Sequence, residues 1–186
     1  AVGDDSGVYV DDVLGVHFYY DVETFTNSGT ITASAVADRA VGDDSRVYVE
    51  DVFGVYIDDD AETFMNSGTI AASAVAGSAA GDDSGVYVDD VFGAYFEEDV
   101  ETFTNSGAIT ASAVAGSAIG DDSHVWTSYV HGVYFEDAVE TFINSGTISA
   151  AATVGDLQGA DAWASIERVY GVYFDESVDT FTNTGT

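Results

Sequence analysis

GDDSGVYVDDVFGAYFEEDVETFTNSGAITASAVAGSAI, residues 81–119, is the unit from which the rest of the chain is built. Its opening GDDS also stands at Gly3, Gly42 and Gly120 and decays to GADA at Gly159, each step being 39 residues without a gap. The segment ETF-x-NSG keeps the same step, from Glu23 to Glu62, Glu101 and Glu140, and closes with Asp179 in place of Glu. A fixed period of about 20 to 50 residues marks a solenoid, propeller or array. Such arrays present surfaces more often than enclosed active sites. The copies run 1–39, 40–78, 79–117, 118–156 and, incomplete, 157–186, and read as a single repeat domain over residues 1–186.

Alignment of the copies sorts phases into inward and outward columns. Val8-Tyr9-Val10 returns as Val47-Tyr48-Val49, Val86-Tyr87-Val88, Val125-Trp126-Thr127 and Ala164-Ser165-Ile166. The flanking phases stay mostly aliphatic while the middle one varies, which is the period-two signature of a strand with one buried face. Val16-His17-Phe18 and its copies, ending in Val172-Tyr173-Phe174, behave in the same way. Gly15, Gly54, Gly93, Gly132 and Gly171 precede that second strand and suggest a corner, where the backbone needs positive φ or close approach.

A third stretch carries two unvarying columns: Phe25, Phe64, Phe103, Phe142 and Phe181, and Asn27, Asn66, Asn105, Asn144 and Asn183. Asn-x-Gly after them is turn chemistry between two short strands. The alanine-rich run Ala33–Ala37 competes for a helical reading, but it is short, mixed with Ser and ends at a loop, so it reads as strand. No proline interrupts the series, which suits stacked strands. The fold expected is all-β, a parallel β-helix (β-solenoid) of five repeats. Each repeat is expected to form two rungs of roughly 20 residues and to advance about 9.6 Å, for a rod of about 45 Å with side-chain ladders along it.

The segments ETFTNSGTITAS (23–34), ETFMNSGTIAAS (62–73), ETFTNSGAITAS (101–112), ETFINSGTISAA (140–151) and DTFTNTGT (179–186) resemble the NSGTI-type repeats of bacterial autotransporter and haemagglutinin-like adhesin passenger domains. The resemblance implies a right-handed parallel β-helix, secreted and displayed at the cell surface of a bacterium or archaeon. The repeat here is longer than in those passengers and carries the GDDS insert.

Charge narrows the partners. With 34 acidic against 3 basic residues, the net charge is −31. Nucleic acid needs a basic face, and anionic lipid surfaces are disfavoured for the same reason. A surface this acidic repels itself unless counterions gather on it, which suits saline surroundings. No apolar run is long enough for membrane insertion. Cysteine is absent, so neither a disulfide framework nor a thiolate metal site is expected.

Asp4, Asp5, Asp43, Asp44, Asp82, Asp83, Asp121 and Asp122 lie beside glycine turns, where carboxylates and carbonyls together suit Ca2+ with its about six to eight oxygen ligands. Asp58-Asp59-Asp60 and Glu97-Glu98-Asp99 form a second acidic set. Solvated acidic loops are the other reading, and it stays open. Two outward aromatic rows are expected as a self-association surface: Tyr9, Tyr48, Tyr87 and Trp126, then His17, Tyr56, Tyr95, Tyr134 and Tyr173. Simple stacking within the sheet and glycan binding compete with that reading.

Ice binding through Thr24, Thr26, Thr30 and Thr32 is disfavoured, because phase 26 reads Thr, Met, Thr, Ile, Thr and phase 32 reads Thr, Ala, Thr, Ser. No catalytic residue is assigned: His17, His124 and His131 have no nucleophile motif beside them, and three arginines do not line a lyase cleft. The sequence starts in repeat phase and stops in mid-repeat without polar caps, which reads as a processed or excised piece, or as a subunit that joins end to end with itself or with neighbouring repeats. The function expected is a non-enzymatic, secreted filament subunit or surface-adhesin segment, with a Ca2+- or glycan-binding module as the alternative.

Overall fold

Every strand pairs in parallel with its counterpart 39 residues away: Val8 sits beside Val47, Val47 beside Val86, Val86 beside Val125 and Val125 beside Ala164. The computed structural model describes residues 1–186 and contains 23 strands. The first coil comprises β1 (Gly7–Val10), β2 (Val13–Phe18), β3 (Val22–Asn27), β4 (Thr30–Ala37) and the two-residue β5 (Ala40–Val41). Each of these founds one parallel sheet that continues through the later coils, so five sheets wrap one β-solenoid.

The coil count corrects the sequence expectation. One 39-residue repeat closes one coil, not two rungs, because the partner of each strand lies one full repeat away. The advance per repeat is therefore a single strand spacing, about 4.8 Å, and the five coils stack to roughly 24 Å. Five short strands per coil consume the length that two rungs of three would have needed.

Alternation explains which residues close the coil. In β4 Ala33, Ala35 and Ala37 point inward and are buried, as are their counterparts in the next two coils, while the alternate phases of Thr, Ser, Val and occasional Ala point out. The interior divides into two lobes. One holds the alanines of the β4 sheet against Val47, Val49, Val86, Val88 and their equivalents. The other holds Phe64, Phe96, Phe103, Phe135 and Phe142 with Ile57, Ile70 and Ile109. Small residues face valines where the coil is thin, and phenylalanines fill it where it is wide.

The glycine column sits at the waist between the lobes. It lies inside the β2 sheet and not at a corner, again unlike the expectation, and its φ is not positive. A Cβ on Gly54 would fall 2.5 Å from Gly93 O and 2.7 Å from Ile70 Cγ2. Absence of that Cβ lets the β4 sheet close onto the β2 sheet. Gly54 and Val55 both face inward, so the pleat slips by one residue and Phe53 is carried to the outside with Tyr56.

The ladders hold the coils in register. Asn66 donates from Nδ2 to Asn105 Oδ1 at 2.8 Å, and Asn105 to Asn144 Oδ1 at 2.8 Å. Those amides also donate to the carbonyls of Ala108 and Thr147, at 3.2 and 3.3 Å. Buried amides this well satisfied avoid the desolvation penalty of unpaired polar groups. Phe64, Phe103 and Phe142 stack face to face at centroid distances of 5.1 Å, and the column of Phe96 and Phe135 meets them edge-on.

Candidate interaction surfaces

The corner before the β1 sheet carries the GDDS aspartates. Asp44, Asp83 and Asp122 have φ of 54°, 53° and 53°, in the left-handed region that Asp tolerates better than most residues. Asp43 and Asp82 accept the backbone N–H of the next coil's aspartate through Oδ1, at 3.3 and 3.1 Å, and Asp121 accepts that of Ala160 at 2.8 Å. Both members of each pair thus have a backbone task, Asp4 and Asp5 occupying the same phases in the first coil. Sets of three carboxylate oxygens within 4.8 Å of one another occur at other places, in Asp11, Asp12 and Asp51 and in Asp21, Asp59 and Asp60.

The second acidic corner joins the β1 sheet to the β2 sheet. Asp12, Asp51 and Asp90 take φ of 51°, 50° and 48° there. Burial, followed by repulsion from Asp89, Asp51 and Glu50, pushes the Asp90 carboxyl up to about 7. Asp51 and Glu50 shift upward as well, burial again leading. None of the three arginines ion-pairs with these groups, and His17 Nε2 lies 2.7 Å from Asp58 Oδ1 in a side-chain hydrogen bond. In the next two coils the Asp phase becomes Tyr129 and Arg168, and the Arg168 guanidinium lies 5.1 Å over the Tyr129 ring.

Both expected aromatic rows form, and their ring faces are largely taken up by one another. On the β1 sheet, Tyr9, Tyr48 and Tyr87 stack at 5.3 and 4.2 Å, and Trp126 meets Tyr87 edge-on at 6.4 Å. On the β2 sheet, Tyr95, Tyr134 and Tyr173 stack at 5.1 and 5.3 Å, whereas Tyr56 meets Tyr95 at 89°. Tyr56 donates to Glu97 at 2.7 Å, and Tyr95 donates to Glu136. Burial first, then these carboxylates, raises both phenols. On the β2 sheet the Tyr56 and Tyr95 hydroxyls therefore lie among carboxylates.

A third outward column was not singled out in the sequence: Leu14, Phe53, Phe92, His131 and Tyr170. It exists because of the pleat slip at the glycines, and its only signal was a bulky residue immediately before each one. Together with the Tyr56–Tyr134 row and the Asp12–Asp90 corner it shapes a groove of about 660 Å3, ended by Tyr129 and Arg168. His131 is 1% exposed and lies 5.2 Å from Phe92 and 5.4 Å from Tyr134, and neither ring nitrogen has a partner. Burial, assisted by Arg168, pushes its imidazolium down to about 4.

A second groove, of about 600 Å3, runs along the corner before the β3 sheet between the carboxylates of Asp21, Asp60 and Asp99 and those of Glu23, Glu62, Glu101 and Glu140. The β4 sheet is its opposite in character. Its outward columns are Thr30–Thr69–Ala108–Thr147, Thr32–Ala71–Thr110–Ser149, Ser34–Ser73–Ser112–Ala151 and Val36–Val75–Val114–Thr153, with no charged residue in any of its four strands. Val36 is 65% exposed there. Comparison with known proteins returns no match to a family model, to a curated protein or to a solved structure.

Proposed function

We propose that the chain is a non-enzymatic structural or adhesive β-solenoid, secreted into saline surroundings by a bacterium or archaeon, which acts by lateral self-association. The observation that carries this reading is the uncharged outer face of the β4 sheet in a chain of net charge −31. Two such rods repel at low salt through the acidic corners that flank the β1, β2 and β3 sheets. The β4 face is made mostly of small residues and is free of that penalty. It is preferred as the contact over the β2-sheet tyrosine row, whose Tyr56 and Tyr95 hydroxyls are engaged by Glu97 and Glu136.

Four strands of eight residues cover about 500 Å2, so a face-to-face pair buries about 1,000 Å2, the lower bound for a specific interface. Association per segment is correspondingly weak, and it grows with every coil that an array adds. Sedimentation and electron microscopy across about 0.05 to 1 M NaCl test the reading, since added salt shortens the reach of the repulsion. The chain is expected to pair or bundle as salt rises. The double variant Ser73→Asp/Ser112→Asp is expected to stay monomeric at every salt while keeping its β circular dichroism. Equal association of the variant and the parent would remove the β4 face as the contact.

A further inference from the structure

We propose that the groove on the outer face of the β2 sheet binds a linear aliphatic polyamine, laid along the solenoid axis with one ammonium group per coil. The order of residues along the strand sets the cross-section: aspartate at the corner, Phe53 and Phe92 in the floor, then Tyr56 and Tyr95 as the far wall. One side of the groove therefore offers a carboxylate in each of three successive coils, Asp12, Asp51 and Asp90, and the floor offers apolar rings to methylene groups. No arginine of the chain neutralises those carboxylates.

The chain indicates which chemistry the groove accepts. Where the aspartate phase gives way, Arg168 places its own guanidinium over Tyr129 at the groove's end. A cation on an aromatic face is favourable, and more so where water is partly excluded. Spacing narrows the class. Carboxylates recur at one strand spacing, about 4.8 Å, which an extended trimethylene spacer between two nitrogens nearly matches. A basic peptide in extended form repeats its same-face side chains at about 6.6 Å and falls out of step. A hard divalent cation gains nothing from a phenylalanine floor and keeps to oxygen ligands.

Binding couples to protons. An ammonium beside Asp90 favours its carboxylate form, so affinity falls as pH drops below the neutral range in which this group titrates. The charges that act on Asp90 are Asp89, Asp51 and Glu50; Asp12, His17, Tyr19, Tyr56, Tyr95, Tyr129, Tyr134 and Arg168 are the other titratable groups around the groove.

Titration calorimetry of the full chain with bis(3-aminopropyl)amine in about 0.15 M NaCl tests the proposal against general counterion binding. Saturable binding at one site is expected, weakened at least about tenfold by Asp51→Asn/Asp90→Asn, which turns two of the three charge-assisted contacts into neutral ones. Asn tolerates the left-handed backbone at both positions, so the variant keeps its fold. Asp43→Asn/Asp82→Asn removes the same charge from the other corner and is expected to change affinity less than twofold. Equal weakening by both doubles, absence of saturable binding, or affinity unchanged between pH 8 and pH 5 would each overturn the proposal.

Discussion

Replacing His131 by Phe should stabilise the chain, and by more in acid than at neutral pH. The imidazole is 1% exposed, boxed by Phe92, Tyr134, Tyr170 and Tyr173 at 5.2 to 5.6 Å, and neither nitrogen has a hydrogen-bond partner. A buried polar group left unpaired costs about 1 to 3 kcal/mol. Phenylalanine already fills this phase in the two preceding coils, where Phe53 and Phe92 stack at 5.2 Å and 10°, so the larger ring has a precedent in the same surroundings. At pH 7.5 the expected gain is about 1 to 2 kcal/mol. The sign of the pH term follows from the lowered folded value: the unfolded imidazole takes up its proton near 6.5, and the folded one only near 4. Stability is therefore lost as pH falls between those values, and at pH 4.5 the variant should gain a further ~2 kcal/mol. Urea unfolding followed by tyrosine fluorescence at both pH values measures the difference directly, and subtraction removes the titration of the shared carboxylates. His131→Leu, which removes the nitrogens without restoring the stack, separates the two contributions. A difference between Phe and His that does not change with pH would refute the account of His131 as a buried neutral imidazole.

Asn105→Ala should cost about 2 to 4 kcal/mol, since it breaks the amide ladder on both sides, while Asn183→Ala, with one ladder bond, should cost clearly less. Equal losses in urea melts would mean that the ladder is not what holds the coils in register. Gly54→Ala should lower stability by about 2 kcal/mol or more and shift the near-ultraviolet circular dichroism, because the added Cβ meets a backbone oxygen and Ile70. Asp90→Asn should stabilise the chain by about 1 kcal/mol at pH 8 and leave it unchanged near pH 4. A carboxyl raised to about 7 contributes stability only when protonated, fully below its unfolded value and lost as pH rises through the folded one.

Inward and outward assignment survived the passage from sequence to structure because each column was read from several copies. Val47, Val86 and Val125 are fully buried, as their phase implied, and the alanine run is strand because its alternate residues face the interior. The aromatic rows lie where alternation put them. Their accessibility was not legible, since it depends on whether neighbouring rings turn faces or edges toward each other. Phe53 and Phe92 escaped notice because alternation alone counts them out of phase with Tyr56 and Tyr95. Only the slip at Gly54 and Gly93 aligns them. The GDDS aspartates invited a metal reading from composition, whereas their backbone roles come from φ and from the stacking of one corner on the next.

A period of 39 residues, joined to the period-two alternation inside each copy, determined an all-β stack and reported which face of each strand is buried. It did not determine how many turns one period makes. That was decided in three dimensions, by two lobes of unequal width pinched at a glycine waist and by corners that hold Asp at positive φ. Closure of a coil is a balance of opposing sheets across a core. No single strand records the distance to the sheet it will face.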